Sequence, residues 1–130
     1  MSHDVFKDQE MFMWATGQQV DQPDPKQFRL YAKLLREEMD EFVEAVQNKD
    51  EVEIFDALLD IIVVAIGAGI SAGYPMQLGW DEVVLSNMRK INPQTGKVDR
   101  REDGKILKPA NWRAPNLRKV MEQHASRKKA

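Results

Sequence analysis

The sequence predicts an all-α protein: an antiparallel bundle of about four to five helices, followed by an irregular, basic C-terminal arm and completed by dimerisation. Three observations lead there. Apolar residues recur at helical rather than strand spacing through the first two-thirds of the chain. Turn signals at Gly17, Asn48-Lys49-Asp50 and Gly73-Tyr74-Pro75 separate those stretches. The chain has 130 residues, 42% hydrophobic and 31% charged, the size and composition of one folded domain. One domain over residues 1–130 is expected, with a core at about 27–92 and the arm at 93–130.

The elements follow in order. Asp4 to Gly17 carries Val5, Phe6, Met11, Phe12, Met13 and Trp14 among polar residues, which predicts a short amphipathic helix. Gln18 to Lys26 holds Pro23 and Pro25 and is expected to be a loop. From Gln27 to Gln47, Phe28, Tyr31, Leu35, Phe42 and Val46 keep the helical period. A second long helix is expected from about Glu51 to Ala72, polar for one turn and then apolar almost all round, as a central helix would be. Gly73 stops it, and Pro75 starts a third that runs to about Ile91 before Asn92-Pro93. Residues 93–116 are broken by Pro93, Gly96, Gly104, Pro109 and Pro115, with a tight turn at Gly104 flanked by short extended arms. Leu117 to Ser126 is expected to close the chain as a short helix.

Composition excludes several chemistries. There is no cysteine, hence no disulfide scaffold, thiolate zinc site or cysteine nucleophile. The two histidines, His3 and His124, lie near the ends, so any metal must be held by oxygen, which points to magnesium, manganese or calcium. Residues 1–99 carry nine basic against eighteen acidic residues, and residues 100–130 carry ten against three. The acidic body would repel a long duplex, and the basic end lacks regular aromatic interleaving, so no nucleic-acid polymer is expected as partner. The polar start has no apolar signal segment, and the longest apolar run, Ile61 to Ile70, is about half of what spans a bilayer. No membrane association and a cytoplasmic location are expected.

The informative residues are acidic. On a helical wheel at about 100° per residue, Glu38 points within about 40° of the centre of the first long helix's apolar stripe. Glu41 lies at its edge and Glu37 further out. On the next helix Asp56 and Asp60 are i,i+4 neighbours, with Glu53 one turn earlier, and Asp60 runs directly into Ile61-Ile62-Val63-Val64. A short turn makes the two helices antiparallel neighbours, so the acidic patches can face each other. Buried unpaired carboxylates cost several kcal/mol each or are neutralised, and a divalent cation is the economical compensation. The competing reading is a solvated polar edge, ion-paired to Arg29, Lys33 and Arg36.

With these residues in view, Glu37-Glu38-Met39-Asp40-Glu41 resembles the E-E-x-x-E signature of the MazG-like, all-α nucleoside triphosphate pyrophosphohydrolases. The resemblance continues through Asp56-Ala57-Leu58-Leu59-Asp60, set against the family's E-x-x-D. It runs on through Gly67, Ser86-Asn87-Met88-Arg89-Lys90, Arg101-Glu102-Asp103-Gly104-Lys105 and Lys108, covering roughly residues 28–115, and that last stretch looks like the phosphoribosyl-ATP pyrophosphohydrolase branch. In this register the motif's glutamate falls at Ala57, a departure, and Asp56 or Glu53 stands in for it.

The resemblance implies cleavage of a nucleoside triphosphate between its α and β phosphates, giving a nucleoside monophosphate and pyrophosphate. It implies Glu38, Glu41 and Asp60 as ligands of magnesium, with manganese possible; Asp56 is the expected substitute ligand. Glu37 is the candidate to orient or deprotonate the attacking water, and Glu38 is expected to be essential to catalysis. Asn87 and Lys90, i,i+3 on one helix, and Arg101, Lys105 and Lys108 in the arm are expected to meet phosphates. Phe12, Trp14, Gln18 and Gln19 could wall a base. Ala65, Gly69 and Gly73, spaced for close helix approach, together with the all-round apolar helix, suggest a homodimer or dimer of dimers. Two alternatives share the fold: an impaired nucleotide-binding or regulatory module, supported by Ala57, and a phosphoribosyl-ATP pyrophosphohydrolase.

Overall fold

A computed structural model describes residues 4–129, so His3 lies outside the described residues. The chain forms five helices and one small sheet, in the order α1 (Val5–Ala15), α2 (Pro25–Gln47), α3 (Glu51–Ser71), α4 (Met76–Met88), β1 (Ile91–Asn92), β2 (Lys97–Arg100), β3 (Ile106–Leu107) and α5 (Leu117–Lys129). The mostly helical architecture agrees with the sequence. The chain folds as two compact units, a first up to Met76 and a second from Gln77.

In the first unit, each helix starts on an aspartate. The side chain of Asp4 accepts from the N–H groups of Phe6 and Lys7, that of Asp24 from Gln27, and that of Asp50 from Glu53. Each satisfies backbone donors that the first helical turn leaves unpaired. α2 begins at Pro25, two residues before the expected start. A proline at the first helical position costs nothing, because its missing N–H would have had no partner there. The α2–α3 turn is closed by Lys49 at φ 54° and by Asp50 N–H donating to the Ala45 carbonyl at 3.1 Å. So short a turn lays α2 and α3 antiparallel, with Ala45 and Ala57 both buried.

Met13, Tyr31, Val64, Ile66 and Ile70 form the core cluster, with Leu34, Leu35, Ala68 and Met76 packed on it. Tyr31 lies directly against Gly67, where any Cβ would overlap its ring, and Gly69 gives the same clearance to Met76. Gly67 and Gly69 therefore serve packing within the unit. The Tyr31 hydroxyl donates to Gln18 Oε1 at 2.6 Å, and burial raises its phenol above the ordinary value despite that bond. Ser71, fully buried, donates to the Gly67 carbonyl at 2.7 Å and accepts from Gln27 Nε2 at 2.8 Å.

Of the expected α2 stripe, Tyr31 is buried and Leu35 and Phe42 are half-buried, whereas Phe28 and Val46 are exposed. α3 is also two-sided. Ala57, Val64, Ile66, Gly67 and Ile70 are buried, but Phe55, Leu58, Leu59, Ile62 and Val63 are exposed. By length and composition alone α3 could cross a membrane; here it is the core helix of its unit and carries Asp56 and Asp60.

In the second unit, α4 ends at Met88, three residues short of expectation, because Ile91 and Asn92 pair as a strand with Val98 and Lys97. β2 then pairs with β3, Asp99 with Leu107 and Arg100 with Ile106, to give an antiparallel meander β1-β2-β3. The turn expected at Gly104 is its second hairpin, with Gly104 at φ 88° and its N–H donating to the Arg101 carbonyl at 2.9 Å. α5 extends to Lys129, beyond the expected Ser126.

Candidate active site

The antiparallel hairpin places Glu38 and Glu41 of α2 with Asp56 and Asp60 of α3. Glu38 is half-buried in the α2 stripe, and its Oε2 is fully buried with no hydrogen-bond partner. Its carboxyl is raised above the ordinary range, first by burial, then by a hydrogen-bond contact with Glu41 and by the negative charges of Glu41, Asp60 and Asp56. Asp60, also half-buried, is raised by burial first, then by the charges of Asp56 and Glu41 and a hydrogen-bond contact with Asp56. The four carboxylates thus act on one another, as the wheel predicted.

No lysine or arginine among the described residues pairs with any of the four. Arg29, Lys33 and Arg36 do not supply the ion pairs that a solvated edge would need. Glu37 is exposed and contributes to neither shift. Glu41 and Glu53 line a cleft of about 320 Å³ together with Glu44, Ala45, Asn48 and Asp50, which adds Glu53 to the acidic face.

An orphaned, buried carboxylate oxygen among like-charged neighbours fits a hard divalent cation better than it fits an apoprotein at rest. The donors are all carboxylate oxygens, the chemistry of magnesium or manganese rather than zinc. Among the described residues, no three such side chains already close around one point.

Ala57 is only 4% exposed, packed into the hairpin. A glutamate there would point into packed atoms, away from the exposed Asp56. Glu53-Ile54-Phe55-Asp56 itself has the E-x-x-D spacing, and both its acids are exposed.

The family pattern decides the class. The phosphoribosyl-ATP pyrophosphohydrolase pattern matches residues 7–87, well over half of the chain. The chain belongs to the phosphoribosyl-ATP pyrophosphohydrolase family. A search of curated proteins found no match. Membership makes the protein a pyrophosphohydrolase-type nucleotide hydrolase, acting on phosphoric anhydrides. The match spans the whole first unit from residue 7 and stops at Asn87. Arg101, Lys105 and Lys108, which the resemblance had included, lie beyond it.

Those basic residues belong to the second unit. Lys90 Nζ donates to Asn87 Oδ1 at 3.1 Å, so the predicted pair meets at the end of α4. Lys108 Nζ lies 4.4 Å and Lys90 Nζ 5.5 Å from the centroid of the Trp112 ring. Arg101 stands in the β2–β3 turn and is held by Asp103 through two hydrogen bonds, Nε to Oδ1 at 3.0 Å and Nη2 to Oδ2 at 2.5 Å. Lys105 is exposed in the same turn, its N–H donating to Asp103 Oδ1 at 3.1 Å.

Of the residues expected to wall a base, the two glutamines are engaged in local hydrogen bonds. Gln18 accepts from Tyr31 and donates to Thr16 Oγ1. Gln19 accepts from the N–H groups of Val20 and Asp21. Their amides hold the α1–α2 loop. Phe12 and Trp14 are exposed on α1.

Proposed function

We propose that the protein is a metal-dependent nucleoside triphosphate pyrophosphohydrolase, cleaving between the α and β phosphates to release a nucleoside monophosphate and pyrophosphate. The observation that carries this reading is the buried, unpartnered Glu38 Oε2 amid Glu41, Asp56 and Asp60. Glu38, Glu41, Asp56 and Asp60 would hold magnesium or manganese, with Glu53 joining Asp56 in the E-x-x-D role. The bound cation would neutralise the triphosphate's charge and polarise the anhydride. Glu37, outside the cluster and open to solvent, would orient or deprotonate the attacking water. Asn87, Lys90, Lys105 and Lys108 would bind phosphate oxygens. Arg101 would do so only in exchange for its fork with Asp103.

Phosphoribosyl-ATP hydrolysis is the second reading, favoured by the family match itself. Glu53 and Asp56, at E-x-x-D spacing, would leave Ala57 outside the motif, which speaks against the inactive-module alternative. A panel of ribo- and deoxynucleoside triphosphates and phosphoribosyl-ATP, each with and without magnesium, tests all three by pyrophosphate release. Release from a triphosphate only with magnesium is the expected result; no release from any substrate would overturn an enzymatic role.

A homodimer, or a dimer of dimers, is part of the same proposal. The exposed row of Phe55, Leu58, Leu59, Ile62 and Val63 on α3 supports it, because so much apolar surface on one helix calls for cover. The glycines of α3 no longer support it. A cytoplasmic location fits a nucleotide hydrolase without cysteine. Light scattering on the purified chain, and on Leu59→Glu, tests the assembly.

A further inference from the structure

The second unit gathers two ammonium groups on one indole. Lys90 follows α4 and Lys108 follows β3, eighteen residues apart, yet both Nζ atoms lie within 5.5 Å of the Trp112 centroid. Among the described residues no carboxylate pairs with either lysine. The one polar side chain bonded to the pair is the Asn87 amide, which accepts from Lys90. Each ammonium lies against the same ring, and an aromatic face offsets only part of a positive charge. The arrangement is short of an anion carrying at least two charges.

Trp112 is itself pinned. Its Nε1–H donates to the Ser86 carbonyl at 2.8 Å, one of the last carbonyls of α4, which the helix leaves without a partner. Its backbone N–H donates to the Pro109 carbonyl at 3.0 Å. The Ser86 side chain, 2% exposed, donates to the Arg113 carbonyl at 3.4 Å. The indole is thus fastened to the end of α4, and Lys108 covers it. Its N–H is used and its ring carries cations, so it does not serve as a stacking wall for a base.

We propose that Trp112 is a positioning residue for polyphosphate: it holds the Lys90 and Lys108 ammoniums together as a two-cation subsite for the phosphate chain of the substrate and for the pyrophosphate product. This rests on the reading above that both lysines meet phosphate. It adds the residue that arranges them and the part of the substrate they take. The subsite should bind all triphosphates alike, whatever the base, because nothing in it reads one.

The test is calorimetric titration of the full chain with inorganic pyrophosphate at low salt in chelator, so that binding does not depend on the carboxylates. The wild type should bind. Lys108→Gln and Trp112→Leu should each weaken binding about three- to tenfold, although tryptophan carries no charge. The double variant should lose less than the product of the two single losses, because the two changes share the Lys108–Trp112 contact. Lys108→Arg, which keeps the charge and stacks on an indole, should retain binding. If Trp112→Leu loses its helical signal, Trp112→Phe takes its place and should show a smaller loss in the same direction. In turnover, the Trp112 variants should raise KM for every accepted triphosphate by a similar factor and change kcat less.

Additive losses in the double variant, a Trp112 variant that binds pyrophosphate like the wild type, or a KM effect confined to one base would overturn the proposal, as would a wild type that does not bind pyrophosphate in chelator. Glu38→Gln separates this from the catalytic reading. It should leave pyrophosphate binding in chelator unchanged while turnover is lost.

Discussion

Asp103, in the second unit, meets Arg101 through a two-point fork and also accepts from the Lys105 N–H; the arginine, chiefly, holds its carboxyl below the ordinary range. Glu38, in the first, has a buried oxygen with no partner, and burial and three neighbouring acids hold its carboxyl above that range. Both are acidic side chains on short-range scaffolds, a β-turn and a helix hairpin. The difference is that one charge is balanced by a residue next door in sequence, and the other is surrounded by its own kind. A balanced surface pair needs no external explanation. The unbalanced cluster at the seam of the unit's two longest helices is the observation on which the proposed cation site rests.

The sharpest way to break this contrast is Glu38→Gln, which keeps the shape and removes the charge. Pyrophosphate release is expected to fall by at least about a hundredfold, because a ligand to the cation is lost. A steady-state assay reads it, and near wild-type turnover would place Glu38 outside the site. Asp60→Asn and Asp56→Asn are expected to act in the same direction.

Second is Ala57→Glu. Position 57 is packed between helices, so a glutamate there must be overpacked and buried, at a cost of about 2–4 kcal/mol. A marked drop in the denaturation midpoint, with no gain in magnesium affinity, is expected. A variant of unchanged stability that binds magnesium more tightly would restore position 57 to the motif.

Third is pH. The folded-state values of Glu38 and Asp60 are raised, so between the ordinary carboxyl range and those raised values the folded state holds more protons than the unfolded one. Their contribution favours folding at low pH and is lost as pH rises through the raised values. Metal-free protein should therefore lose stability relative to Glu38→Gln as pH rises above the ordinary carboxyl range, and magnesium should cancel much of that difference. Thermal melts of both proteins at several pH values read it; parallel pH curves would contradict it.

The smallest effect is expected from Asp103→Asn. Both partners of its fork are exposed, and exposed pairs contribute little. Since the Asp103 value is lowered, whatever it contributes is present above the ordinary carboxyl range and fades below it. A melt indistinguishable from wild type is expected at neutral pH; a large loss would mean that the β2–β3 turn depends on the pair.

The acidic face was legible because helical periodicity alone puts Glu38 inside an apolar stripe and Asp60 at the head of an apolar run. Local punctuation located the helices to within a few residues. What the sequence hid was of two kinds. Pairing between segments turned Ile91–Asn92 from helix end into strand, and no local signal announces that partner. Facing was the other. Ala57 and Glu53 lie on the same helix, and only packing against α2 shows which of them points inward. Trp112 is the extreme case: its contacts with Lys90, Lys108 and Ser86 span stretches of irregular chain where no periodicity exists to read.

Magnesium titration followed by calorimetry tests the proposed cation site of Glu38, Glu41, Asp56 and Asp60 without reference to any substrate. The wild-type chain should bind magnesium saturably, and Glu38→Gln at least about tenfold more weakly. A wild-type chain that binds no magnesium, or a Glu38→Gln chain that binds it equally well, would contradict the account.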